Sequence, residues 1–117
     1  MIELSYKIFS EEMEEGGYKL TATLLRLENS VVAFFDEKGS MKLGTLAAAM
    51  PGLSGQTSIS SVLLGDRNMA VTKILAGHFS KAFNSIALVS THLSEFSERK
   101  LGSSLLKLAK RLIDKAS

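Results

Sequence analysis

The chain has 117 residues, a length that suits a single domain over 1–117 with its own core. An apolar content of 45% with only one proline fits a globular protein. No cysteine is present, which excludes disulfides and thiolate metal sites and is compatible with a reducing cytoplasm. The opening Met-Ile-Glu-Leu-Ser lacks the pattern of a signal peptide, and no apolar run approaches the roughly 20 residues that span a membrane. We therefore expect a cytoplasmic protein that does not act in a membrane.

The formal net charge of +2 conceals an asymmetry between the two parts of the chain. Residues 1–40 carry eight acidic and four basic side chains, a net charge of −4, and residues 41–117 carry four and ten, a net charge of +6. The acids concentrate in Glu11–Glu15 and the bases near the end of the chain. Such a split describes either two solvated faces or a charge bias in docking to another protein.

The first third of the chain predicts three strands. Ile2–Phe9 alternates apolar and polar residues, the period of a strand with one wet face. Glu11–Gly17 is predicted to be an acidic loop closed by a Gly-Gly turn, followed by strands over Tyr18–Leu27 and Val31–Phe35. The last of these is apolar on both faces. Three successive strands with short connections predict an antiparallel meander.

The pattern then changes to a helical period. Ser40 is predicted to cap a helix over Leu43–Met50 that ends at Pro51-Gly52. A fourth strand follows over Thr57–Leu64, and Asp66 is placed to cap the next helix.

Two helices and one strand are predicted in the remainder. The helix face that begins after Arg67 consists of Val71, Ile74, Leu75, His78, Phe79 and Ala82. Ser85–Thr91 is predicted as the fifth strand, and Ser97 as the cap of a final helix with late basic residues. The apolar stripe of that helix is Leu101, Leu105, Leu108 and Leu112.

The order β-β-β-α-β-α-β-α predicts a two-layer α+β fold, with a mostly antiparallel sheet and helices on one face. Strands that are apolar on both faces need cover on both. We name Val32, Phe34, Ala87 and Val89 as candidates for a protein interface on the uncovered face. The cover is then a second copy or a sister subunit, and the alternative is burial by strand twist and loops.

No residue pattern supports catalysis, a cofactor or a metal. His78 and His92 are the only imidazoles, and neither an HExxH spacing nor a Gly-x-Ser-x-Gly elbow is present. Gly65 opens a strand-to-helix junction of the kind that binds anions, but the charge of Asp66 would repel a phosphate. The late basic residues of the last helix compensate its dipole, so nucleic-acid binding is not expected.

Three stretches, taken together in order and spacing, resemble the small proteasome-assembling chaperones of types 3 and 4, more closely type 4. They are Leu43-Gly-Thr-Leu-Ala-Ala-Ala-Met50, Ile59-Ser-Ser-Val-Leu-Leu-Gly-Asp66, and the amphipathic helix with the strand and terminal helix after it. The resemblance implies a non-enzymatic homodimer or heterodimer that binds α-type proteasome subunits during ring assembly. The resemblance leaves open that the chain is a prokaryotic or archaeal homologue of this family. The ending Asp114-Lys-Ala-Ser117 lacks the hydrophobic-Tyr-any tail of other proteasome chaperones, so contact through a surface patch is implied.

A second hypothesis is a small ligand- or nucleotide-binding regulatory domain. Its site would combine the turn-rich segment Gly52–Gln56 with the helix start at Gly65–Arg67. An enzyme is not predicted.

Overall fold

Six strands form one sheet against which two helices pack, in a computed structural model that describes residues 5–37, 39–53, 58–93 and 98–117. The elements in chain order are β1 (Lys7–Glu15), β2 (Tyr18–Arg26), β3 (Ser30–Glu37), β4 (Thr45–Met50), β5 (Ile59–Leu64), α1 (Met69–Phe83), β6 (Ile86–His92) and α2 (Glu98–Ala116). Across the sheet the order is β1-β2-β3-β6-β4-β5, and only the β3–β6 pair is parallel. The predicted α+β class, with a mostly antiparallel sheet, is confirmed.

The acidic segment lies in strand β1, so its prediction as a loop is wrong. The first strand begins at Lys7 and continues to Glu15, and residues 2–4 of the predicted strand lie outside the described part of the chain. Within it Met13 pairs with Leu20 and packs on the core, while Glu12 and Glu14 point to the other side. The tight turn is at Gly16-Gly17 as predicted, where both residues have positive φ.

The segment predicted as the first helix is strand β4, in the interior of the sheet between β6 and β5. Alanine favours helices, but the six residues between Gly44 and Pro51 are too few for a helix to be stable without tertiary packing. As a strand, the segment buries Ala47 and Ala49 under α1. A Cβ at Gly44 would collide with the Thr91 carbonyl, so the entry to β4 requires glycine.

Both helices cover the same face of the sheet. α1 packs on β4, β5 and β6, and α2 packs on β1 and β2 and against α1. The core lies between the two layers, where Phe79 of α1 packs on Phe35 of β3 with ring centroids 6.1 Å apart. In α2 the predicted stripe is buried at Leu105, Leu108 and Leu112. The predicted positions Thr57, Ser97 and the Leu101 side chain lie outside the described residues.

The acidic first strand and the basic last helix are neighbours, which explains much of the charge split. The Lys115 ammonium donates to the Glu11 carboxylate at 3.0 Å and to the Ser10 carbonyl at 2.9 Å. Nearby, the Arg26 guanidinium donates to the Ala116 carbonyl and lies 5.1 Å from the ring centroid of Phe83. The opposite charges of the first strand and the last helix therefore attract within one molecule.

Helix α1 begins two residues later than predicted. Its N-cap is Asn68, in the left-handed conformation and without a side-chain cap bond, and not Asp66. The first turn is held instead by Thr72, whose hydroxyl lies 2.6 Å from the Asn68 carbonyl and 2.7 Å from the hydroxyl of Thr91 on β6. Both threonines are buried. Since the Thr72 hydroxyl donates its proton to Asn68, the Thr91 hydroxyl donates to Thr72 and depends on it as a partner.

We expect Thr72→Val to lower the unfolding free energy by about 1–3 kcal/mol, because it leaves the buried Thr91 hydroxyl without its partner. The double variant Thr72→Val/Thr91→Val removes both hydroxyls and should recover part of that loss. Urea unfolding of the two single variants and the double variant measures the coupling. Strictly additive losses would show that the two hydroxyls do not depend on one another.

Candidate interaction surface

The face of the sheet opposite the helices is apolar at its centre. Alternation along each strand, combined with the strand register, places one row of side chains from Leu25 across to Ala48 and a second row from Phe34 to Leu46. Ser90 in the second row is fully buried, and the other members of the two rows are partly exposed. We call this surface the open face, and its centre consists of Leu25, Val32, Phe34, Leu46, Ala48 and Leu88.

The rim of the open face on the β4–β5 side is also apolar and more accessible. Ile86, Met50 and Leu64 are 51–54% exposed, and Ile59 is 64% exposed. Five strands spaced about 4.8 Å apart, with three rows about 7 Å apart along them, give the apolar area a width of about 20 Å across the strands and about 14 Å along them. Apolar patches of that scale on a protein surface usually mark interaction sites.

The four residues predicted for an interface divide between the two faces of the sheet. Val32 and Phe34 lie at the centre of the open face, half-buried. Ala87 and Val89 have no exposed surface and lie in the core under the helices, so in this fold they are unable to contact a partner. Side chains alternate along a strand, so a one-residue change in register exchanges the two faces of the sheet. Ile86 and Leu88 therefore lie on the open face, where Ala87 and Val89 were predicted to lie.

The largest omission from the sequence-based surface is β4, which contributes Leu46, Ala48 and Met50 to the open face. Its assignment as a helix concealed this contribution. The signal that was available is the alternation of larger residues at 46 and 50 with alanine at 47 and 49, in a segment bounded by Gly44 and Pro51.

A short loop closes one end of the open face. Residues 39–44 lie between β3 and β4, and their backbone is hydrogen-bonded to side chains of the sheet. The Lys42 N–H donates to the Asp36 carboxylate at 2.9 Å. The Gly44 N–H donates to the Ser90 hydroxyl at 3.0 Å. Held in this way, the loop exposes 60% of both Met41 and Leu43. These two apolar side chains extend the open face beyond the end of the strands.

The carboxylate that anchors this loop is buried. Asp36 is 2% exposed, and its burial raises its pKa above the ordinary value of 3.8. The backbone bond from Lys42 and the positive charges of His92 and Lys42 oppose that rise in pKa without cancelling it. The loop therefore depends on a carboxyl group that binds its proton more tightly in the folded protein than in the unfolded chain.

The candidates for nucleophilic chemistry are engaged in structural contacts. Ser90 has no exposed surface and its hydroxyl accepts the Gly44 N–H, while the Thr91 hydroxyl is paired with Thr72. His78, predicted to be packed or to face a partner, is exposed on α1. Among the described residues there is no group of three or more His, Cys, Asp or Glu side chains placed to hold a metal. No helix in that part of the chain is long and apolar enough to cross a membrane.

The two segments proposed for a ligand site do not meet. Gly52 follows the end of β4, and Gly65 follows the end of its antiparallel neighbour β5, so the two glycines lie at opposite ends of β5. At about 3.3 Å per residue, the six residues of β5 separate them by roughly 20 Å. Residues 54–56 lie outside the described part of the chain. A cleft of about 330 Å³ beside Gly65 is lined by Asp66 together with Arg67 and His92, so the side chains around it are of mixed charge type.

The fold is shared with a protein of known structure. The chain is similar to a chain of a yeast chaperone complex for 20S proteasome assembly, with a TM-score of 0.72 and 18% sequence identity. The similarity covers 97% of this chain and 96% of the yeast chain. No family model and no curated protein matches the sequence. At this identity the comparison establishes a common fold over the whole domain.

We expect the unfolding free energy of the protein to vary with pH because of Asp36. Because its pKa is raised in the folded state, its contribution to the unfolding free energy is complete below about pH 3.8 and is lost as the pH rises through the raised pKa. The variant Asp36→Asn has no carboxyl group at this position and does not lose this contribution. Its unfolding free energy should therefore rise relative to that of the wild type across this pH interval. Urea unfolding between pH 3.5 and 7 measures the difference.

The matched control is Glu14→Gln, which removes an exposed carboxylate from β1. Its difference from the wild type should stay flat over the interval in which Asp36→Asn diverges. Parallel pH profiles for Asp36→Asn and the wild type would contradict the assignment.

Proposed function

We propose that this protein is a non-enzymatic assembly chaperone that works as a dimer and binds α-type proteasome subunits during ring assembly, in the cytoplasm. The observation that carries the proposal is the open face, an apolar sheet surface left uncovered in a fold shared with a yeast proteasome-assembly chaperone. A surface of this kind serves contact with another protein. A homodimer and a heterodimer with a sister chaperone are both compatible with it.

The open face suits packing against another sheet. Two sheets pack face to face about 10 Å apart when side chains from both inner faces interdigitate. The half-buried Val32, Phe34 and Leu88 have the size and apolar character for this contact. In a homodimer the contact is isologous, since the same patch from each copy meets across a two-fold axis and the assembly closes at two copies.

The polar part of the same sheet face limits where a partner sheet fits. Towards β1, the face carries Thr21, Thr23 and the ion pair between Lys19 and Glu12, with an N–O distance of 3.4 Å. Charged groups at that side are favourable at the solvated margin of an interface and unfavourable at its desolvated centre. The partner is therefore expected to centre on β3, β6 and β4.

Sedimentation tests the dimer. The wild type should sediment as a dimer at micromolar concentration, and Ile86→Glu should sediment as a monomer, because a charge on the rim of the open face would be desolvated in the dimer. Ile86 is 51% exposed, so the charge is tolerated in the monomer. Met69→Glu, which makes the same change on an exposed residue of α1, should stay dimeric. A wild type that sediments only as a monomer with no partner chaperone present would exclude the homodimer.

Affinity purification tests the client. The tagged protein, recovered from native extract of its source organism at low salt, should bring with it α-type proteasome subunits identified by mass spectrometry. The control is the Met69→Glu variant, which changes an exposed residue of α1, leaves the open face intact and should recover the same subunits. Recovery without any α-type subunit, under conditions that keep weak complexes together, would exclude the proposed client.

A further inference from the structure

The two edge strands of the sheet, β1 and β5, differ in charge. The edge strand β1 carries one lysine and four glutamates, charges of the kind that protect an exposed edge from pairing with another chain. The other edge strand, β5, has the sequence ISSVLL, with neither a charge nor a proline, and it pairs only with β4 among the described residues. An unprotected edge of this kind is a template for another strand.

A groove runs along this second edge, between β5 and the flank of α1. It has a volume of about 490 Å³ and is lined on the strand side by Ser58 and Ser60 and on the helix side by Ala70, Ile74 and Gly77. Gly77 lets helix and strand approach closely, since a Cβ there would lie 3.0 Å from the Ser58 hydroxyl oxygen, which bonds to the Gly77 carbonyl at 3.2 Å. The groove offers small, mostly apolar walls beside a free strand edge, and Ile74 is half exposed in it.

Positive charge borders the groove. Lys73 and Lys81 lie on the groove side of α1 with His78 between them. Neither α1 nor β5 contains an acidic residue. The two ends of the sheet therefore differ in sign, with carboxylates along β1 and ammonium groups along the helix beside β5. A guest at β5 is favoured when it carries negative charge.

We propose that the β5 edge binds an extended acidic segment of a client protein by strand addition. The client's backbone pairs with β5, its side chains on the helix side pack against Ala70 and Ile74, and its carboxylates lie near Lys73 and Lys81. This inference rests on the proposed function as an assembly chaperone and adds a second surface to it. The groove faces the helix side of the sheet, so a dimer formed through the open face leaves it accessible.

A second copy of this chain suits the groove less well. Its acidic strand β1 is partly neutralised, because Glu11 is bonded to Lys115 and Glu12 lies near Lys19. Pairing of β1 with β5 of another copy would be a head-to-tail contact, which forms open filaments unless its rotation closes a ring. An extended segment from another protein meets neither difficulty.

The test uses a fluorescein-labelled octapeptide as the probe, with valine and glutamate alternating at its odd positions and threonine at its even positions, so that valines and glutamates share one face of the added strand. Fluorescence anisotropy is the readout. The wild type should bind it with an affinity that falls as salt is raised. Lys73→Glu/Lys81→Glu should weaken binding at least tenfold. The matched variant Lys107→Glu/Arg111→Glu makes the same charge change on exposed residues of α2 and should change binding less than twofold. Circular dichroism checks that both variants are folded.

Two further peptides separate strand addition from simple charge attraction. A peptide with prolines at its two central positions lacks N–H groups there on both edges and should not bind. A peptide with lysine in place of glutamate should not bind either. In the wild-type complex, hydrogen exchange should slow at residues 59–64 of β5. Equal binding of the proline peptide, or unchanged exchange in β5, would overturn the proposal.

The remaining outcomes also decide the question. Failure of the probe to bind at millimolar concentration overturns the proposal, as does displacement of the probe by a single-stranded octanucleotide at lower concentration, which would assign the lysines to nucleic acid. Filaments formed by the wild type and abolished by Lys73→Glu/Lys81→Glu would assign the groove to a second copy. Ile86→Glu should keep full affinity for the probe, so loss of the dimer and loss of the groove are separate results.

Discussion

The structure depends on one constraint, which is that both helices lie on the same face of a six-stranded sheet. Strands β3, β6 and β4 are apolar on both sides, and α1 and α2 cover only one of these sides. Burial of apolar area stabilises a protein by about 25 cal/mol per Å². Covering the uncovered apolar face with a partner is therefore favourable. The core is packed between the sheet and the helices, whereas the open face is left uncovered. The proposed dimer follows from that difference.

Close packing on the covered face sets where the accessible features lie. Small residues at Ala47 and Ala49 let α1 approach the middle of the sheet, and the Thr72–Thr91 contact fixes the first turn of the helix to β6. With α1 in that place, its flank lies above β5 and forms the groove there. The loop after β3, anchored to Asp36 and Ser90, completes the opposite face. The open face and the groove thus depend on the same packing and point to different sides of the molecule.

The sequence could be interpreted correctly where the pattern was local and regular. The Gly16-Gly17 turn, strand β3 and the buried stripe of α2 follow from turn chemistry and from periods of 2 and 3.6 residues. It was misleading where tertiary contacts override intrinsic preference. An alanine-rich segment becomes a central strand because the position between β6 and β5 demands small side chains, and glutamates enter β1 because alternate positions of an edge strand face water.

The sequence by itself determined the α+β class and the apolar character of the central strands on both faces, on which the expectation of a partner for one face rests. Only the tertiary structure decided which side chains lie on that face. It places Ile86 and Leu88 on the open face instead of Ala87 and Val89, and it adds strand β4 to that face. It also brings the acidic strand against the basic helix. The physical reason is that alternation along a strand gives two sets of side chains but not their direction, which is fixed by pairing with distant strands and by the helices packed above them.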